Sequence, residues 1–356
     1  MKRVAQRSSA TGAEVYSVGR EFADNRLALQ LFGSHHAHLA RIEHAFDVHI
    51  DARGNQISIA GSEDAVTAAA KVLDHLYARL ERGLDVREED VDAAVRMSVS
   101  RNGVADADTA IHIRHRSVAA RSPAQANYIR AIDRFKLVFG LGPAGTGKTY
   151  LAVAKAVERL VNGEVDRIIL SRPAVEAGEQ LGFLPGNMRE KVDPYLRPLY
   201  DALYDMVPAP QVLKRLESGE IEVAPLAFMR GRTLANAFVI LDEAQNTTAV
   251  QMKMFLTRLG ENAQMVVTGD LSQVDLPRGT RSGLRHALEV LDGVPGIDFV
   301  HFTDADVVRH PLVTQIVRAY DRAEGRVKAG ARYEHHDDCE PRGREHDLAE
   351  PHDGER

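Results

Sequence analysis

The run Phe135-Lys136-Leu137-Val138-Phe139-Gly140-Leu141 has the apolar density of a buried strand, and it breaks directly into Gly142-Pro143-Ala144-Gly145-Thr146-Gly147-Lys148-Thr149. Beyond the break, Val153, Ala154, Val157 and Val161 recur at helical spacing as far as Asn162-Gly163. A strand that turns through glycines straight into a helix fits G-x-x-x-x-G-K-[ST] in the context which that pattern requires. The chemistry asks for these residue types. Backbone N–H groups and the positive end of the helix must converge on phosphate oxygens, and bulk in the loop would hold the phosphates away. Gly142, Pro143, Ala144, Gly145, Thr146 and Gly147 are therefore read as a cradle for a nucleotide's phosphates. Lys148 would reach the β- and γ-phosphates as a point charge, and the Thr149 hydroxyl would ligate magnesium.

Downstream, strand candidates at Arg167–Leu170, Ala237–Leu241, Gln264–Thr268 and Asp298–Phe302 alternate with helical stretches, which predicts an α/β fold with a parallel sheet. The segment from Arg172 to Arg232 is too long for a simple crossover and is expected to hold an insertion facing the site or a partner. Phe238-Val239-Ile240-Leu241 ends in Asp242-Glu243, where open α/β sheets bind their ligands. Asp242 is read as holding the magnesium through its bound waters, and Glu243 as orienting or deprotonating an attacking water. Val266-Val267-Thr268-Gly269-Asp270-Leu271-Ser272-Gln273 delivers Thr268, Asp270 and Gln273 to the same sheet edge, in reach of the γ-phosphate or its water. Upstream, Ser122 and Pro123 open a helix whose first turn carries Gln125, a donor and acceptor suited to the amine and N7 of adenine. Arg172, Arg278, Arg281 and Arg309 are candidates for the extra cation of phosphoryl transfer, with Arg309 preferred. Arg172-Pro173 and Gly178–Gly182 read as a substrate-side loop.

The first 22 residues carry Lys2, Arg3, Arg7 and Arg20 among small polar residues and are expected to form a flexible arm. Residues 23–82 read as a compact unit. Helices around Leu27–Phe32 and Leu39–Phe46 are followed by strands at Val48–Ile50 and Ile57–Ile59 and a helix from Ser62 to Leu80. This order resembles the KH fold, whose G-x-x-G loop clamps nucleic-acid backbone; here the loop is Gly33-Ser34-His35-His36, with His36 in place of the second glycine. A small module serving packing or protein contact is the alternative. Residues 83–122 read as a linker with a basic hairpin at Ile111–Arg116, residues 123–330 as the nucleotide domain, and residues 331–356 as an acidic, His-rich disordered tail. His335, His336, Cys339 and His346 in that tail match no tight metal-ligand frame.

The net charge of −6 divides unevenly: the tail holds nine Asp or Glu and four Arg, a net of −5, which leaves the first 330 residues at −1. Charge therefore argues neither for nor against a polyanionic partner. No apolar run approaches the ~20 residues of a membrane span, the first 20 residues lack an apolar leader, and Cys339 is the one cysteine. A cytoplasmic protein is expected.

With these residues assembled, the chain resembles the PhoH-like ATPases, most densely at Gly140–Thr149, Arg172-Pro173, Phe228–Leu234, Leu241–Thr248 and Thr268–Asp270. The Ala-Gly-x-Gly-Lys-Thr, Asp-Glu-Ala-Gln and Gly-Asp-x-x-Gln strings are also similar to motifs of superfamily 1 helicases. The resemblance implies a single RecA-like core that hydrolyses ATP with Mg2+ and acts on RNA, in company with a ribosomal-RNA maturation endoribonuclease. Superfamily 1 motors close two such cores on ATP, whereas after Thr149 this chain has room for one. A homo-oligomer, a ring in which a neighbour supplies the arginine, is the resulting expectation. Two other classes stay open: a nucleotide-gated switch that binds RNA or a nuclease without strand separation, and a P-loop kinase.

Overall fold

Apolar runs of both periods condense into two larger sheets, each covered by helices, and a two-stranded hairpin. The computed structural model describes residues 4–8, 15–99, 109–113, 116–173, 188–277, 279–307 and 316. The chain divides into a unit of residues 1–308 and a second of 309–356, and of the second only Ile316 is described.

The N-terminal module runs β1 (Val4–Ser8), β2 (Val15–Glu21), α1 (Asn25–Phe32), α2 (Ala37–Phe46), β3 (His49–Arg53), β4 (Gln56–Gly61), α3 (Glu63–Glu81) and α4 (Glu88–Val99). Its antiparallel sheet has the order β1-β2-β4-β3. α3 starts where the Ser62 hydroxyl accepts the Ala65 N–H, and it buries Val66, Ala69, Val72, Leu73 and Leu76 in the module's core. Residues 15–22 thus differ from the flexible arm expected of the first 22. Phe22 is fully buried, its ring 6.1 Å from Phe32 and 4.7 Å from Tyr77. Arg20, a polar signal in the sequence, is buried too, with its charge answered by Asp74 at 3.3 Å. A strand that interleaves Val18 with Gly19 and an inward arginine carries no visible alternation.

The hairpin β5 (Ala110–Ile113) and β6 (Arg116–Ala119) leads into the second sheet. There follow α5 (Pro123–Arg134), β7 (Leu137–Leu141), α6 (Lys148–Val161), β8 (Arg167–Arg172), α7 (Met188–Met206), α8 (Ala209–Ser218), β9 (Ile221–Pro225), β10 (Ala237–Leu241), α9 (Ala249–Leu256), β11 (Gln264–Gly269), α10 (Gly283–Val290) and β12 (Ile297–His301). Six strands pair in parallel in the order β12-β7-β11-β10-β8-β9, the architecture of a RecA-like core. Every residue of β7, β10 and β11 is buried, as a sheet covered on both faces demands. One face packs on α5, α6, α7 and α8 and the other on α9 and α10. Of the long segment from Arg172 to Arg232, the described part holds α7, α8 and β9. β9 escapes a sequence reading because Ile-Glu-Val-Ala-Pro is short, charged and proline-ended; as an edge strand it needs one bonded side only.

Strand order places the site. β11 lies between β7 and β10, and the registers pair Leu141 with Gly269 and Val267 with Leu241. Residues 142, 242 and 268–270 therefore leave the sheet at one edge. No helix among the described residues is long and apolar enough to cross a membrane.

Candidate functional site

The loop Gly142–Gly147 is held open by its backbone. Gly142 has φ 143°, and a Cβ there would lie 2.4 Å from the Phe302 carbonyl oxygen. Gly147 caps α6 in a left-handed conformation without any side-chain hydrogen bond, so the helix's first N–H groups face the cradle rather than a cap. The Lys148 ammonium donates to the carbonyls of Gly142 at 2.6 Å and Pro143 at 2.8 Å, folded back over the loop it would share with a phosphate. The Thr146 hydroxyl donates to the Pro143 carbonyl at 2.9 Å and stiffens the same turn.

Gln125 sits beneath this loop. Its Nε2 donates to the Thr146 carbonyl at 2.9 Å, and its Oε1 accepts the Arg121 N–H at 2.7 Å. Both ends of the amide proposed for adenine are thus engaged with backbone, and the residue braces the loop. The Arg121 carbonyl in turn accepts from Arg96 of α4 at 3.3 Å, which ties the brace to the N-terminal module.

Asp242 is buried at the end of β10, where Oδ1 accepts the Thr149 hydroxyl at 2.6 Å and the Thr268 hydroxyl at 2.7 Å. The loop, β10 and β11 meet on this one oxygen. Ser171 Oγ, at the neighbouring end of β8, is buried with no partner among the described residues, so polar capacity remains for a hydrated ion. Thr149, Asp242 and Ser171 are oxygen donors, the kind that a hard cation such as Mg2+ takes.

Glu243 has φ 52° and ψ 39°, a left-handed conformation that costs a non-glycine residue about 1 kcal/mol or more. The turn sends its carboxylate away from Asp242 to Arg172 Nη2, 3.1 Å distant, while Gln245 Nε2 donates to its other oxygen at 2.5 Å. Gln245 Oε1 accepts the Asp270 N–H at 3.0 Å. Asp270 accepts from Ser272 and, at 2.9 Å, from the Gln273 amide; Asn246 and Asp275 exchange two further hydrogen bonds. The two motifs are one network. Gln245, Asn246 and Asp275 are its unforeseen members: the first two lie inside a quoted motif and Asp275 two residues beyond another, but only the approach of β10 to β11 shows that they join them.

Tyr128 lies under β7 with its ring 5.4 Å from Phe302. Burial first, and then the charge of Asp242, push its phenol well above the usual tyrosine range. Among the arginines weighed for the extra cation, Arg281 pairs with Glu289 and Arg172 with Glu243. Arg278, Arg309, the loop Gly178–Gly182 and the tail's His335, His336, Cys339 and His346 lie outside the described residues.

The PhoH-like protein family model matches residues 117–321. A PhoH-like protein of Bacillus subtilis is 49% identical over 300 residues, covering 83% of this chain and 94% of the relative. One of Mycobacterium tuberculosis is 50% identical over 302 residues, covering 84% and 86%. Protein PhoH of Escherichia coli is 46% identical over 263 residues, covering 73% of each. With a phosphate loop, a buried aspartate and a parallel sheet joined at one edge, the chain belongs to the PhoH-like family of P-loop ATPase-type proteins.

Proposed function

We propose that the protein hydrolyses ATP with Mg2+ and acts on RNA, in the cytoplasm and as a homo-oligomeric ring. The Thr149–Asp242 hydrogen bond carries the first half, because it joins the phosphate cradle to the carboxylate strand and leaves Glu243 one residue away. Thr149 and Asp242 would hold the ion, which neutralises charge on the β- and γ-phosphates. Lys148 would exchange its loop carbonyls for phosphate oxygens, and Glu243 would accept a proton from the attacking water. Asp270 and Gln273 stand where the loss of the γ-phosphate can be relayed through Gln245.

The RNA half is supported by the N-terminal module. From α1 to α3 its elements run helix, helix, strand, strand, helix, the order on which the resemblance to a KH-like domain rests, and β2 precedes them. The turn Gly33–His36 between α1 and α2 is left-handed at His35 (φ 52°) and His36 (φ 62°). His36 takes the conformation that a second glycine would adopt more cheaply, and it packs against Phe32 at 5.8 Å. The left-handed turn is thus formed without the second glycine, which supports a loop that could approach nucleic-acid backbone. A ring with a neighbour's arginine, and a ribosomal-RNA maturation endoribonuclease as partner, are supported by the single sheet of six parallel strands and by the family resemblance respectively.

A second reading, a nucleotide-gated switch, is favoured by the Arg172 and Gln245 contacts that occupy Glu243. One experiment separates these readings: ATP turnover with and without single-stranded RNA, in wild type and Lys148→Ala. Turnover that needs Lys148 and rises with RNA is expected. Binding without turnover makes the protein a switch, and Lys148-dependent turnover indifferent to RNA makes its substrate a protein.

A further inference from the structure

Arg121 is bonded at its N–H, its carbonyl and its guanidinium, and the bonds run to two different parts of the molecule. The N–H donates to Gln125 Oε1 at 2.7 Å, the carbonyl accepts from Arg96 Nε at 3.3 Å, and the guanidinium lies 3.5 Å from Glu89. Gln125 belongs to α5 beneath the phosphate loop, whereas Arg96 and Glu89 belong to α4 of the N-terminal module. The two ties to α4 are unequal. Arg121 and Glu89 are 39% and 67% exposed, a setting in which an ion pair contributes little. Arg96 is half-buried; burial first, with the charge of Arg121, lowers its pKa from the ordinary guanidinium value, against Asp92 and Asp306, which raise it. A guanidinium drawn that far from water needs an acceptor, and the Arg121 carbonyl supplies one.

Apolar packing does not take the place of that bond. The seam between α4 and residues 119–121 is lined in part by Ala93, Ala94, Ala119 and Ala120, and it keeps a cavity of about 30 Å³, room for water. Side chains this small interdigitate little, so the polar tie fixes where α4 sits on the core. Within the module α4 is firmly held: Arg41 of α2 donates to both oxygens of Asp92, at 3.1 and 3.0 Å.

What Gln125 does for the loop follows from the planarity of one peptide. The Thr146 carbonyl and the Gly147 N–H belong to the same trans unit and point to opposite sides. Gln125 Nε2 holds that carbonyl from beneath at 2.9 Å, and so aims the Gly147 N–H at the side where phosphate would lie. Gly147 leaves the room: a Cβ there would stand 3.1 Å from Gln125 Nε2, at φ 81°. We propose that Arg96 is a positioning residue for the phosphate loop, contributed by the N-terminal module and acting through Arg121 and Gln125. The proposal rests on that loop binding a nucleotide. It gives the module, which lies outside the stretch 117–321 matched by the family model, a part in nucleotide affinity that needs no contact with the ligand.

The test is ADP affinity in the presence of Mg2+, measured by calorimetry on the full chain. Arg96→Ala should weaken ADP about threefold or more. Arg96→Lys, which keeps a donor for the carbonyl, should recover most of that loss. In a Gln125→Ala background Arg96→Ala should cost nothing further, because the link it acts through is gone. Unchanged affinity in Arg96→Ala, or an equal loss in both backgrounds, would overturn the proposal. Lys148→Ala binding ADP as wild type does would instead overturn the loop reading itself. Should Arg96→Ala fail to fold, wild type answers alone. Coupling between sites is reciprocal, so saturating ADP should slow amide exchange in residues 142–149, in residues 119–126 and in α4. Slowing confined to the loop would refute the coupling.

Discussion

Arg172 holds Glu243. Its Nη2 lies 3.1 Å from Glu243 Oε1, while its Nη1 donates to the Tyr195 carbonyl of α7 at 2.9 Å. The arginine therefore spans from the proposed proton acceptor to the helix that enters from the long insertion. A shift of α7 would loosen the carboxylate, so in the proposed hydrolysis the contact would act as a brake.

Arg172→Ala should therefore raise ATP turnover in the absence of RNA. The two side chains are 21% and 36% exposed, and a pair of such exposure is worth about 0.5–1 kcal/mol, or roughly two- to fivefold in rate. Glu243→Gln should instead lower kcat by about 10² or more with little change in KM. If Arg172→Ala falls as far as Glu243→Gln in a steady-state assay, the arginine serves the chemistry and is no brake.

Asp242→Asn tests the oxygen on which three elements meet. Asparagine keeps an acceptor for Thr149 and Thr268, so circular dichroism and the melting temperature should change little. The lost charge should weaken Mg2+-dependent ATP binding by about tenfold or more, on the scale of one charge-assisted contact. Titration of nucleotide affinity against magnesium reads this directly, and an unchanged magnesium dependence would remove Asp242 from the ion's site.

The strands of this site were legible because burial on both faces leaves near-continuous apolar runs. β7 ends in the phosphate pattern, and β10 and β11 end in carboxylates. Legibility stopped at side-chain partners. Gln125 reads as a base contact from its chemistry, yet which groups its amide meets depends on how α5 packs under the loop. Arg172 and Glu243 are read separately from the sequence, and only the pairing of β8 with β10 puts them side by side. β2 was hidden for another reason: its inward Arg20 depends on Asp74, a partner contributed by α3.

Gly142→Ala should fail by folding rather than by chemistry. The methyl would meet the Phe302 carbonyl at 2.4 Å, and φ 143° is a conformation that side chains rarely adopt. Backbone cannot swing aside as a side chain can, so a loss of about 2 kcal/mol or more is expected in denaturant unfolding. Ala at Gly163, where φ is 72° and nothing lies within 4 Å, carries the conformational cost alone and should lose about 1 kcal/mol. Equal losses at both positions would show that Phe302 does not limit the loop.

The edge strand β9 is pinned by a charge pair with a defined pH signature. Arg232 donates to both Glu222 oxygens, at 2.6 and 2.7 Å. Those bonds first, against an opposing effect of burial, hold the Glu222 carboxyl below its ordinary range. A carboxyl depressed in the folded state binds fewer protons there than in the unfolded chain. Its contribution is therefore complete above the unfolded value and disappears as pH falls through the folded one. The pair is about one-third exposed, so the contribution should be on the order of 1 kcal/mol. Glu222→Gln should lose that amount at pH 7, and the gap to wild type should close below about pH 4. Urea unfolding across this range is the check; a gap that persisted unchanged into acid would mean that packing, rather than the ionised pair, holds β9 to the sheet.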